Sequence, residues 1–267
     1  MKIEKIMLDD KAYIDTYIAD KTEQFKRKAI LVIPGGAYWN VCADREGEPI
    51  AMSFMPHGFN AFVLHYSVKG EGTFPTQLKQ ASLAIKHIKD NAEEYGIDKD
   101  EVYAVGFSAG GHLCASLGNL WDKKEIYEDI DMPLGYNKPK GIILAYPVIS
   151  GVSEYSHKDS FKNLFDTENP TKEQLEESSI ELKVSEKSVP AYIVHAVNDS
   201  LVPVENSLLL ATQYSKYKIP FELHIYPRGE HGFALANEIT WDGNEEFIQK
   251  ANEEWVANAV RWTQNLI

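Results

Sequence analysis

Residues 101–120 read EVYAVGFSAGGHLCASLGNL. The first part, EVYAV, has the continuous β-favouring character of a strand buried on both faces, and GHLCASLGNL is compatible with a helix. The chain must therefore turn from strand to helix within Gly106-Phe107-Ser108-Ala109-Gly110. So tight a corner brings neighbouring backbone close, which leaves no room for side chains at 106 and 110 and pushes the Ser108 hydroxyl out above the sheet edge. The following helix N-terminus aims free amides and positive dipole at the same spot.

Working outward, the runs AILVIPGG, AFVLHYSV, GIILAYPVI, AYIVHAV and FELHIYP are further strands of the same buried type. Helical segments lie between them. Leu78, Ala81, Ile85, Ile88 and Ala92 recur near a 3.6-residue period. Pro203 is placed to start a helix with Val204, Leu208 and Ala211 on one side. Ile248, Ala251, Trp255, Ala259, Trp262 and Leu266 keep the same rhythm at the end. This alternation predicts an α/β fold with a mostly parallel sheet and helices on both faces. KIEKIML and AYIDTYIAD, across the turn at Asp9-Asp10-Lys11, read as an antiparallel pair in front of it. A single domain over 1–267 is the simplest organisation. The polar stretch 151–188 breaks the alternation after a strand end, and its two readings are a partial cap over the site and a solvated excursion.

Composition narrows the function classes. A formal net charge of −13 disfavours nucleic acid and anionic membrane surfaces as partners and suits a neutral small molecule. No apolar run approaches the ~20 residues needed to span a bilayer. The N-terminal residues interleave charge with apolar side chains, unlike a secretory signal, and Cys42 and Cys114 are too few for a disulfide framework. A cytoplasmic setting is expected, and a homo-oligomer is compatible with the sequence.

A serine hydroxyl needs a base within hydrogen-bond reach and a carboxylate to orient that base, in the chain order Ser, Asp or Glu, His. Asp199, in VHAVNDSLVP, and His231, in YPRGEHGFAL, fall on successive strand-end loops in that order. The other histidines fit less well: His112, His195 and His224 fall inside elements, and His57, His65, His87 and His157 lack a matching loop position. All seven are read as structural, although His195 with His224 is a conceivable zinc pair without a supporting carboxylate or thiolate set. Oxyanion donors are expected from the small-residue loop VIPGGAYW, at the amides of Gly36 and Ala37, and from Ala109 beside the serine. No metal or organic cofactor is expected. Tyr38, Trp39, Tyr146 and Trp241 are candidates for stacking on a sugar ring, with core or rim packing as the other reading. Glu230 is close enough in sequence to stabilise a charged His231, although the sequence does not show which way its side chain points.

The stretches PGGAYW, REGEPIAMSFMPHGFNAFVLHYSV, GFSAGGHL and VPAYIVHAVNDSLVPVENSL make the chain resemble the α/β-hydrolase superfamily. Within it, the chain is similar to bacterial carboxylesterases of the acetyl-xylan and acetylated-sugar type, relatives of the hormone-sensitive-lipase-like group. The resemblance covers nearly the whole chain, and Pro34 stands where the related loop motif begins with histidine. It implies an α/β-hydrolase fold with Ser108 as nucleophile, His231 as general base and acid, and Asp199 as orienting acid. It also implies hydrolysis of a small-molecule acetyl ester through an acyl-enzyme. Two alternatives stay open at this point, an amidase similar to kynurenine formamidase and a non-catalytic ligand-binding module of the same fold.

Overall fold

The computed structural model describes residues 1–266. Its strands are β1 (Lys2–Met7), β2 (Tyr13–Ile18), β3 (Arg27–Ile33), β4 (Phe59–His65), β5 (Ile97–Phe107), β6 (Ile142–Ala145), β7 (Ala191–Ala196) and β8 (Phe221–Tyr226). They form one sheet in the order β1-β2-β4-β3-β5-β6-β7-β8. β1 and β2 pair antiparallel, β2 joins β4 antiparallel, and every later pairing is parallel. The expected opening pair and mostly parallel sheet are thus present.

The side-chain period of two divides the strand residues between two cores. On one face Ala29, Leu31 and Ile33 meet the helices Thr76–Asp90, Ser108–Leu120 and Glu205–Tyr217. On the other, Ile30 and Val32 meet Glu48–Phe54 and Trp255–Asn265. Helices cover both faces, which explains the continuous apolar runs of the central strands.

Three helices differ from their sequence reading. The helix from Thr76 ends at Asp90, so Ala92 lies outside it in the one-turn helix Ala92–Tyr95. The last begins at Trp255, so Ile248 and Ala251 lie outside it, in a short 3₁₀ and turn region that follows the His231 loop. Trp255 is fully buried and donates Nε1–H to the Ala234 carbonyl at 2.8 Å, so this helix anchors that loop. In Glu205–Tyr217 the packed face carries Leu210, Ala211 and Tyr214, whereas Leu208 is 43% exposed. Pro203 fixes the turn before the helix, which starts two residues later than a proline-first register requires.

Segment 151–188 joins β6 to β7 and carries the short helices Lys158–Leu164 and Lys172–Ser178. The second starts with a capping box, in which Thr171 Oγ1 accepts from Gln174 N and Gln174 Oε1 accepts from Thr171 N. Phe161, Leu164 and Ile180 are buried in the first core, so the segment is packed down and is not a solvated excursion. Among the described residues no helix is long and apolar enough to cross a membrane.

Candidate active site

The site lies at the carboxyl ends of β3, β5, β7 and β8, where an open α/β sheet presents its connecting loops to a ligand. The corner after β5 is as tight as its sequence demands. Ser108 begins the helix Ser108–Leu120 with φ 52°, in the left-handed region. A Cβ at Gly106 would strike the Gly110 carbonyl and one at Gly110 would strike the carbonyls of Ile33 and Pro34, so both glycines are required by close backbone approach.

Three side chains from three loops converge. Ser108 Oγ donates to His231 Nε2 at 2.9 Å, and His231 Nδ1–H donates to Asp199 Oδ2 at 2.8 Å. Asp199 is held from below, because its Oδ1 accepts the amides of Leu201 at 3.0 Å and Val202 at 2.8 Å. A second imidazole also reaches it: His195 Nε2 lies 3.2 Å from Asp199 Oδ2 and 3.0 Å from the Val202 carbonyl. His195 Nδ1 accepts from Ser207 Oγ at 2.8 Å, which leaves the proton on Nε2. Burial alone would lift the Asp199 carboxyl, but hydrogen bonds from His195 and His231 outweigh it and hold that group well below the usual carboxylate range. Asp199 is therefore anionic at neutral pH, and its Oδ2 is placed to orient the His231 ring.

The loop after β3 is shaped by its carbonyls. Pro34 O accepts from Tyr66 Oη at 2.8 Å, Gly35 O from Cys42 N at 3.1 Å, and Gly36 O from Trp39 N at 2.9 Å and Asn40 N at 3.1 Å. Because a trans peptide sets C=O and N–H on opposite sides, tying these carbonyls back turns the amides of Gly36 and Ala37 the other way. Neither amide has an acceptor among the described residues. Ala109 lies in the first helical turn, whose amides lack an intrahelical partner. Gly35 N, by contrast, donates to Glu46 Oε2 at 2.8 Å, and Glu46 Oε1 accepts from Tyr146 Oη at 2.8 Å. The conformation is costly: Ala37 and Tyr38 have φ 54° and 57°, and a left-handed non-glycine residue costs roughly 1–2 kcal/mol.

A cleft of about 310 Å³ opens over Ser108 and His231, walled by Gly36, Ala37, Trp39 and Arg45. Of the candidate stacking aromatics, only Trp39 lines it, and its ring is 63% exposed. Tyr38 and Tyr146 are corrected to core residues. Tyr38 is 1% exposed beneath the loop, because its hydroxyl is needed by His112. Tyr146 is wholly buried, bonded to Glu46 and to Ala234 N, with its ring edge-on to His231 at 5.1 Å. Trp241, on the later stretch of the His231 loop, is not among the residues lining the cleft.

Other histidine readings also change. His157, read as structural, lines the cleft from segment 151–188, and burial holds its imidazole below the ordinary value. His195 and His224 do not form a metal pair. In the register of β7 and β8, His195 faces Ile225 and His224 faces Val194, so the two rings point to opposite faces of the sheet. Glu230 turns away from the His231 ring, accepting from Ser200 Oγ at 2.5 Å and from the backbone N of His231 at 3.2 Å. Sequence reasoning also missed the roles of Arg45 and Glu46, which lie in the one-turn helix Ala43–Glu46 and open the REGEPIAMSF stretch. Arg45 lines the cleft, stacks on Phe247 at 5.1 Å, and makes no hydrogen bond or ion pair among the described residues.

Residues 14–214 match the BD-FAE family, and residues 173–266 match the dienelactone hydrolase family. The chain belongs to the BD-FAE family. The fold of this BD-FAE member is the α/β-hydrolase fold. It superposes on an acetyl ester-xyloside bifunctional hydrolase from Caldicellulosiruptor lactoaceticus with a TM-score of 0.83, at 33% identity over 98% of this chain and 95% of that one. It is 40% identical over 85% of its length to endo-1,4-beta-xylanase B of Butyrivibrio fibrisolvens, covering 36% of that protein. It is 31% identical over 80% of its length to the acetylxylan esterase of Xylanibacter ruminicola, covering 42% of that protein. The chain thus spans well under half the length of these two curated relatives.

Proposed function

We propose that this BD-FAE member is a serine carboxylesterase that hydrolyses acetyl esters of small sugars or xylo-oligosaccharides. The observation that carries the reading is the continuous hydrogen-bonded relay from Ser108 through His231 to Asp199. In this mechanism His231 takes the Ser108 proton as Oγ attacks the ester carbonyl, and the amides of Gly36, Ala37 and Ala109 hold the negative oxygen that forms. His231 then protonates the leaving alcohol. Water, deprotonated by His231, attacks the acyl-enzyme and releases acetate.

Two residues of the cleft wall support a sugar as the alcohol. Arg45 lines it with its guanidinium donors free, and Trp39 offers an exposed aromatic face, a pairing suited to hydroxyl oxygens and an apolar ring face. The two similar proteins with acetylxylan or acetyl ester-xyloside in their names support the same choice. A cytoplasmic setting is part of the proposal and is supported by the two free thiols, Cys42 and Cys114. The test is a hydrolysis panel of p-nitrophenyl esters from acetate to decanoate beside acetylated xylobiose and N-formylkynurenine. Acetate and acetylated xylobiose are expected to be turned over best. Preference for N-formylkynurenine would move the protein to an amidase, and no turnover of any compound would leave it a binding module.

A further inference from the structure

Segment 151–188 reaches the loop that carries the proposed oxyanion donors by two routes, one direct and one through His112. From its first helix, Asn163 donates Nδ2–H to the Ala37 carbonyl at 2.9 Å. At the end of its second helix, the Ser178 carbonyl accepts from His112 Nε2–H at 2.6 Å, and His112 Nδ1 in turn accepts from Tyr38 Oη at 2.7 Å. The direction of this second chain is forced, since a carbonyl only accepts and the remaining ring nitrogen must then accept as well. His112 is fully buried, with Phe161 edge-on to its ring at 5.4 Å, and burial pushes its imidazole down to about 4, which keeps it neutral and keeps that direction.

The two residues so gripped, Ala37 and Tyr38, are the two non-glycine residues of this loop at positive φ. Neither residue type favours that region, so the local sequence does not by itself hold the turn. We propose that Asn163 and His112 are positioning residues through which segment 151–188 braces the oxyanion loop in its left-handed turn. Resting on the esterase reading above, this gives the segment a part in the rate of reaction as well as, through His157, in lining the cleft. Neither residue touches the substrate. Their influence passes through the peptide plane of Ala37–Tyr38, whose tilt sets where the neighbouring Ala37 amide points.

The test is the division between kcat and KM on p-nitrophenyl acetate, together with second-site rescue. Asn163→Ala is expected to lower kcat about 10-fold while KM moves less than about 2-fold, because a misaimed donor is lost from the transition state and not from ground-state binding. Glycine adopts positive φ freely, so Ala37→Gly combined with Asn163→Ala is expected to recover most of that loss. General weakening of the fold would not be repaired in this way. Tyr38→Phe, which deletes one hydroxyl and retains the ring, is expected to lower kcat about 3-fold to 10-fold, and it tests the second arm should Asn163→Ala fail to fold. Wild-type kcat in both single variants would overturn the brace, as would a double variant no faster than Asn163→Ala. If wild-type protein turned over no ester at all, the esterase reading would fall first and the brace with it.

Discussion

The elbow at Gly106–Gly110 and the loop at Pro34–Asn40 both hold non-glycine residues at positive φ beside the same hydroxyl, yet they hold them by different means. At the elbow the constraint is in the chain itself. β5 runs straight into its helix, and two glycines let the backbone of Gly110 approach that of Ile33 and Pro34. In the β3 loop the constraint comes from elsewhere: Asn163, Tyr66, Glu46 and the Lys69 amide, 2.8 Å from the Tyr38 carbonyl, each tie down one backbone group. A corner encoded locally should fail all at once when altered, whereas a loop held by distant partners should lose its geometry by degrees.

Graded substitutions test that difference. Ser108→Ala removes the nucleophile that the elbow exists to present, and kcat on p-nitrophenyl acetate is expected to fall by on the order of 10⁶. Asp199→Asn, which favours the wrong His231 tautomer, is expected to cost about 10⁴. Gly110→Ala sets a methyl against backbone that has nowhere to move, so destabilisation above about 4 kcal/mol is expected, read as loss of folded protein in a denaturant titration. A fully stable variant would show that the elbow has slack. Ala37→Pro deletes one amide donor and, because proline fixes φ at about −65° where Ala37 stands at 54°, also breaks the left-handed turn, so a folded enzyme slower by at least about 10²-fold is expected.

The smallest effect concerns His195. The Asp199 carboxyl titrates lower in the folded protein than in the unfolded chain, so its ionised form contributes stability that is complete above the unfolded value and lost as pH falls through the folded one. Replacing His195 by Gln weakens one of the two imidazole contacts and brings the folded value back up. That contribution is complete at pH 7, so His195→Gln is expected to be less stable than wild type there by about 1 kcal/mol, measured by urea unfolding. Equal stability at pH 7 would mean that His231 and the loop amides hold the carboxylate without help.

What could be read in advance follows the same division. The sheet, its covering helices and the loops bearing Ser108, Asp199 and His231 are written in short-range pattern: buried apolar runs, glycines at a corner, polar residues just past strand ends. Asn163, His157, Arg45 and Glu46 carry no such pattern, because what matters about them is which distant backbone or cleft they reach. Tyr38 and Tyr146 read from sequence as candidate stacking surfaces because they follow strand ends. Their hydroxyls have buried partners in His112 and Glu46, contacts that sequence spacing of 74 and 100 residues does not reveal. His195 reads as a structural strand residue, yet the strand's alternation is what points it at Asp199.

The central claim is that one hydroxyl, Ser108, is the activated nucleophile. Intact mass measurement after treatment with a fluorophosphonate tests it most directly. One adduct per chain is expected, located by peptide mapping at Ser108 and missing from Ser108→Ala. An unmodified wild-type protein, or an adduct on any other residue, would contradict the account.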